Sequence, residues 1–313
     1  MTAHVIVRLW RGLLLVCLCA AGVHARSAEL AHEHTIGPDI GANATLVGPF
    51  GISLSRNNEV LISDDLGHRV YHLDASFDLV RTLGAEQGFA YTDAALLRPD
   101  RSYVIADTGN NRLLFLNAQG KIKRTVTTLG WFKGKLANPR SLAIGADSHF
   151  LIADWGNETV RVLDQDGALV RTIGGRDSGA GGLRGPIDAL ELPTGEIIVS
   201  DHRRHRLLRF SAAGEPSGII GAPGSGPGGL RGPSGLALGP EGTIWVADTL
   251  NARIMRFAEN GEPLGAYWAG PGAAFSKPAD LAFASDGRLL VADAGRHVVY
   301  VFAPPVNPPT SEK

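Results

Sequence analysis

Three observations in the sequence predict an all-β fold, a six-bladed β-propeller. A short apolar run ending in Asp recurs six times: Ile62-Ser-Asp64, Ile105-Ala-Asp107, Ile152-Ala-Asp154, Val199-Ser-Asp201, Val246-Ala-Asp248 and Val291-Ala-Asp293. The spacings are 43, 47, 47, 47 and 45 residues, the length of a propeller blade. Beyond the first 25 residues no stretch shows a 3.6-residue apolar period, and 40 Gly and 18 Pro divide the 313-residue chain into short strands.

The units align in order. Fifteen residues before the Asp stands Pro49, Pro139, Pro186, Pro233 or Pro278, with Thr92 in the second unit. Five residues after it stands Arg69, Arg112, Arg206 or Arg253, with Thr159 and Val298 in the third and sixth. The fifth unit reads as four strands: a over 235–238, b over 243–247, c over 253–257 and d over 264–268. Strand b is apolar at nearly every position, as expected of a strand covered on both faces. Six such units fill residues 49–303. The sixth lacks strand d, because Ala-Pro-Pro-Val-Asn-Pro-Pro follows Phe302. His34-Thr-Ile-Gly37 matches Arg171-Thr-Ile-Gly174, a strand d. Residues 31–37 are therefore expected to close the ring as the outer strand of the last blade, removing two open edges.

Pro233-Ser-Gly-Leu-Ala-Leu238, Val246-Ala-Asp-Thr-Leu-Asn-Ala-Arg-Ile254 and Ala106-Asp-Thr-Gly-Asn-Asn-Arg-Leu113 resemble the NHL repeat. The resemblance covers nearly all of the chain after residue 25 and implies four-stranded NHL-type blades. Similar propellers act as binding platforms and as enzymes, so fold alone does not choose a function.

Residues 1–25 read as a signal peptide. Arg8 and Arg11 precede the apolar stretch Gly12–Ala21, no acid occurs before Glu29, and Val23-His24-Ala25 offers a cleavage site. The stretch is too short to span a bilayer. Both cysteines, Cys17 and Cys19, lie in it, preceded by Val16 and Leu18 where a lipobox takes Gly or Ala. Cleavage would leave no thiol, which excludes disulfides, thiol catalysis and Cys-based zinc sites. The expected divisions are a leader at 1–25, a propeller at 26–303 and a Pro-rich tail at 304–313. The expected product is periplasmic or secreted, monomeric and without a membrane span. The formal charge of −1 falls to −3 once the two leader arginines are removed, which argues against a nucleic-acid partner.

The repeated Asp reads as scaffold. Its carboxylate is expected to accept turn amides and to pair bidentately with the Arg five residues on. Departures from the repeat are more informative. Asp93, Asp188 and Asp280 sit one or two residues past the Pro position of the second, fourth and sixth units, and Arg140 sits in the third. These residues open strand a, which borders the channel. Three carboxylates on one axis suit a hard cation such as Ca²⁺; solvated or amide-bonded carboxylates are the other reading. Asp93 is one residue past the Pro position and the other two are two past it, so strand alternation aims Asp93 elsewhere.

A second set lies in the b–c loops of the same face. His68, His205 and His297 each follow the repeated Asp by four residues, and His202, Arg203, Trp155 and Arg296 occupy comparable loops. Zinc would need three ligands about 2 Å from one point, and the loops of the first, fourth and sixth blades lie apart. The rim is instead read as solvated or as touching an anionic or peptide ligand. The Gly-rich stretches Gly174–Gly185 and Gly221–Gly232 open no helix, so they are connectors and not phosphate loops. Asn43 and Asn157 head glycosylation sequons.

The sequence thus points to an exported platform that binds a peptide, protein or glycan through its channel-mouth face. The alternative is a Ca-dependent lactonase-like hydrolase or an amidating-lyase-like enzyme working in the channel. Resemblance to the amidating lyases implies zinc on channel histidines, yet no strand a opens with His here.

Overall fold

The structure is a computed structural model and describes residues 26–41, 44–130, 134–176 and 178–306. The expected leader, Asn43 and residues 307–313 lie outside them. Two N-terminal strands, β1 (Arg26–Leu30) and β2 (His32–Ile36), precede the blades. Blade 1 holds β3 (Pro49–Leu54), β4 (Val60–Asp64), β5 (Arg69–Leu73) and β6 (Leu79–Leu83). Blade 2 holds β7 (Thr92–Leu97), β8 (Tyr103–Asp107), β9 (Arg112–Leu116) and β10 (Ile122–Val126). Blade 3 holds β11 (Ala143–Ile144), β12 (Phe150–Asp154), β13 (Thr159–Leu163) and β14 (Leu169–Gly174). Blade 4 holds β15 (Pro186–Glu191), β16 (Ile197–Asp201), β17 (Arg206–Phe210) and β18 (Pro216–Ile220). A short parallel pair, β19 (Ala222–Pro223) and β20 (Gly229–Leu230), lies in the next connector. Blade 5 holds β21 (Pro233–Leu238), β22 (Ile244–Asp248), β23 (Arg253–Phe257) and β24 (Pro263–Ala269). Blade 6 holds β25 (Pro278–Phe283), β26 (Leu289–Asp293) and β27 (Val298–Phe302).

Each blade is an antiparallel meander. The second strands β4, β8, β12, β16, β22 and β26 are buried at every position, as sequences apolar at nearly every position before the closing Asp require. Neighbouring blades pack face to face. Ile62 and Tyr71 of blade 1 share a core with Leu290 and Val299 of blade 6, and Trp245 of blade 5 meets Phe283 of blade 6 edge-on at 5.3 Å. The six-bladed ring expected from the repeat is thus the observed fold.

The ring closes through β2, which runs antiparallel to β27 with His34 opposite Val301 and Ile36 opposite Val299. One strand was not expected. β1 adds to blade 5 as a fifth strand, parallel to β24, with Arg26 opposite Gly265 and Leu30 opposite Ala269. The N-terminal segment therefore straps blades 5 and 6 together. Among the described residues no helix is long and apolar enough to cross a membrane.

Candidate functional site

In every blade the repeated Asp pairs with the Pro position: Pro49 with Asp64, Thr92 with Asp107, Pro139 with Asp154, Pro186 with Asp201, Pro233 with Asp248 and Pro278 with Asp293. All six carboxylates are inaccessible to solvent. They accept amides mainly from the connector leading into strand a, not only from the b–c turn: Gly48 N to Asp64, Ala90 N to Asp107, Ala137 N to Asp154, Arg184 N to Asp201, Arg231 N to Asp248 and Lys277 N to Asp293. The expected bidentate Arg pairing does not form. Arg112, Arg206 and Arg253 each reach the Asp through Nε alone, at 2.6, 3.0 and 2.8 Å. Their Nη2 atoms donate to connector carbonyls, Gln87 O, Gly182 O and Gly229 O respectively. Blade 3 restores the pair with Arg161, seven residues after Asp154, while Arg69 lies by the Tyr71 hydroxyl. The Asn157 amide donates to Asp154 and to Lys135 O.

The rim histidines fasten one blade to the next. His68 Nδ1 accepts Tyr91 N and His205 Nδ1 accepts Gly232 N, both at 2.9 Å, while His297 Nδ1 donates to Val47 O. Asn111 does the same in blade 2, accepting Asn138 N. All four sit at positive φ, between 53° and 61°, a region His and Asn enter more readily than most residues. His202 donates to Pro233 O at 3.1 Å, as Thr108 and Thr249 donate to Pro139 O and Pro278 O; burial pushes its pKa down. Arg296 donates to Ala274 O. Five of the expected rim residues thus divide into fasteners and loop contacts, leaving Trp155 and Arg203 facing the mouth.

A bulge follows the Pro position in β3, β7, β15, β21 and β25. Bulges re-aim side chains, and this one separates the expected channel carboxylates. Asp188 and Asp280 turn along the channel wall. Asp188 accepts Ala189 N and, across the blade boundary, Leu236 N, both at 2.8 Å. Asp280 accepts Leu281 N and Ile52 N, also at 2.8 Å. Burial pushes the Asp188 pKa up to about 6. Burial raises Asp280 well above its ordinary value, and the Asp188 charge raises it further. The expected three-carboxylate cation site therefore meets two amide-bonded carboxylates with a third turned away. Among the described residues no group of three or more His, Cys, Asp or Glu is placed to hold a metal ion, and the donors do not fit the six to eight oxygens Ca²⁺ takes.

Asp93 turns instead toward the mouth, where residues outside the repeat meet. It is 2% exposed, and its carboxyl contacts the Asp65 carboxyl in the neighbouring loop. Two carboxyls so close disfavour each other's ionisation. Burial first, then Asp65, raises Asp93 well above its ordinary value, against the pull of Arg140. Arg140 Nη1 stands 3.2 Å from Asp93 Oδ2, and its Nε makes no hydrogen bond. Its guanidinium lies 5.4 Å from the Phe50 ring and 5.1 Å from the Trp155 ring. Arg203 stacks on the same indole at 4.8 Å. Gly185 lies under that indole, where a Cβ would stand 2.8 Å from it. Asp65 and Phe50 were not singled out in the sequence. Asp65 had a signal, since its place in the other blades is Thr, Trp, His or Ala. Below the mouth a cavity of about 290 Å³ runs the length of the innermost strands, lined by Arg140, Asp93, Asp188 and Asp280 among apolar side chains.

The NHL repeat model matches residues 230–257, and no curated protein matches the chain. A gluconolactonase from Xanthomonas campestris is similar in structure, with a TM-score of 0.67 and 15% identity, over 90% of this chain and 97% of that one. A streptogramin B lyase is similar with a TM-score of 0.62 and 15% identity, over 86% and 96%. The virginiamycin B lyase of Staphylococcus aureus follows with 0.59 and 15%, over 85% and 86%. At these identities the likeness is one of fold. Its sequence register and its blade geometry agree: the chain is a six-bladed β-propeller that carries an NHL repeat.

Proposed function

We propose that the protein is an exported, monomeric binding platform, periplasmic or secreted, that recognises a peptide, protein or glycan through its channel-mouth face. One observation carries this reading. The stack of Phe50, Arg140, Trp155 and Arg203 is built from side chains the blade scaffold does not use, and it stands at the opening of the channel. Aromatic and guanidinium groups are the side chains that most often anchor ligands. The test is retention of residues 26–313 on peptide and glycan arrays. Trp155→Ala should abolish retention, and Arg56→Ala on the opposite face should not. Equal retention by wild type and Trp155→Ala would remove the reading.

The buried Asp93 carboxyl beside Asp65, with its pKa raised well above the ordinary value, favours a second reading, an enzyme of the channel mouth. A carboxyl whose pKa is raised in this way can act as a general acid. The similar solved proteins named gluconolactonase and streptogramin B lyase make lactone opening the first activity to assay. Turnover lost in Asp93→Asn supports this reading, and turnover unaffected by that change rejects it.

A further inference from the structure

The geometry points to a small-molecule site inside the channel: Arg140 takes the carboxylate of an organic acid whose apolar body lies in the cavity below. This goes beyond recognition by the face; it shares Arg140 with that reading and does not depend on it.

Four features lead there. The cavity of about 290 Å³ is lined along its length by Ile52, Leu96, Leu142, Ile187, Leu236 and Leu281, with the carboxyls of Asp93, Asp188 and Asp280 on its wall and one guanidinium, Arg140, at its mouth. A ligand matching it has an apolar body and one anionic end. Second, the fork of Arg140 is already ordered. The rings of Phe50 and Trp155 fix its plane, so little side-chain entropy is lost when a planar anion pairs with it. Third, the carboxyl that Arg140 faces, 3.2 Å away, is Asp93, and burial raises that carboxyl well above its ordinary value, which favours its neutral form and leaves guanidinium charge for a ligand. Fourth, the surrounding rim is cationic. Glu158 sits among Arg176, Arg184 and Arg203, three guanidiniums to one carboxylate. The two carboxylates farther along the channel, Asp188 and Asp280, are each held by two amides, so an apolar body meets bonded oxygens there.

The test is calorimetry on residues 26–313 with octanoate and with octanamide, its neutral counterpart of equal size. The acid is expected to bind at least tenfold more tightly than the amide. Arg140→Gln should erase the preference, and Asp93→Asn, which keeps a neutral group beside the guanidinium, should retain it. Where Arg140→Gln lowers the melting temperature, Arg140→Lys replaces it: the charge stays, the fork is lost, and the preference should drop several-fold. Equal affinity for acid and amide overturns the proposal, as does an acid preference unchanged in both Arg140 variants, or no heat from either compound at millimolar concentration. Array retention by the face with no acid preference removes this site and leaves the platform reading standing.

Discussion

Asp280 in the last blade accepts the backbone amide of Ile52 in the first, at 2.8 Å across 228 residues of chain. The bond closes the ring at the channel wall, while β2 closes it at the outer edge. Asp188 makes the same bond from blade 4 to Leu236 in blade 5. Replacing Asp280 by Ala leaves the Ile52 N–H without its partner beside the channel. The expected loss is about 1–3 kcal/mol, read as a lower urea midpoint. Asp280→Asn keeps a carbonyl acceptor and should lose less. Equal midpoints for Asp280→Ala and wild type would contradict the role.

Stability should fall as pH rises from about 4 to about 6. Asp188 has a pKa pushed up by burial from 3.8 to about 6, so in that window the folded chain binds more protons than the unfolded one. Its contribution is complete below the unfolded value and is lost as pH climbs through the folded value. Two units correspond to at most roughly 3 kcal/mol, shared with the neighbouring Asp280 carboxyl. Unfolding titrations at pH 4, 5, 6 and 7 measure it. Asp188→Asn should reduce the slope between pH 4 and 6, leaving the share that the raised carboxyls Asp280 and Asp93 contribute, and a variant with the wild-type slope would reject Asp188 as a source.

Gly235→Ala should destabilise by about 1–3 kcal/mol, as overpacking does. A Cβ on Gly235 would stand 2.1 Å from Asp280 Oδ1 and 2.6 Å from the Asp280 Cα. Because the backbone is part of the clash, a second change Asp280→Ala should not rescue it. A double variant as stable as Asp280→Ala alone would show that the space can open.

Removing residues 26–47 should expose β27 and the outer edge of β24. Both strands of the strap are then lost. The expected cost is several kcal/mol out of a total of about 5–15, or roughly 10 °C in melting temperature. A chain starting at Gly48 that melts with the chain starting at Arg26 would refute the closure.

The ring was legible because each blade repeats its Asp at one register, and that Asp pairs with the Pro position in all six. The closing strand was legible because His34-Thr-Ile-Gly37 copies an outer strand. β1 was not, because Arg-Ser-Ala-Glu-Leu has neither alternation nor a counterpart in other blades. Within the candidate site, the separation of Asp93 from Asp188 and Asp280 followed from their one-residue offset, but the bulge that sets their directions leaves no residue signature. His68, His205 and His297 share a repeat position with Asn111. A position held by hydrogen-bonding side chains in four blades is scaffold, and that regularity was visible. The contact between Asp65 and Asp93 joins a loop of one blade to a strand of the next, and no spacing within a single unit reveals it.

The strap has a consequence for when the molecule can finish. Residues 32–36 pair with residues 298–302, so nearly the whole chain separates the two sides of the seam. The first described strands to be synthesised wait for late partners, β1 for β24 of the fifth blade and β2 for β27 of the last. Contacts of such sequence separation form slowly, and the open edges of β24 and β27 invite pairing with other chains while they wait. Assembly is thus vectorial up to the sixth blade and concerted at its end: one zipper, drawn across the last two blades, converts an open arc into a ring.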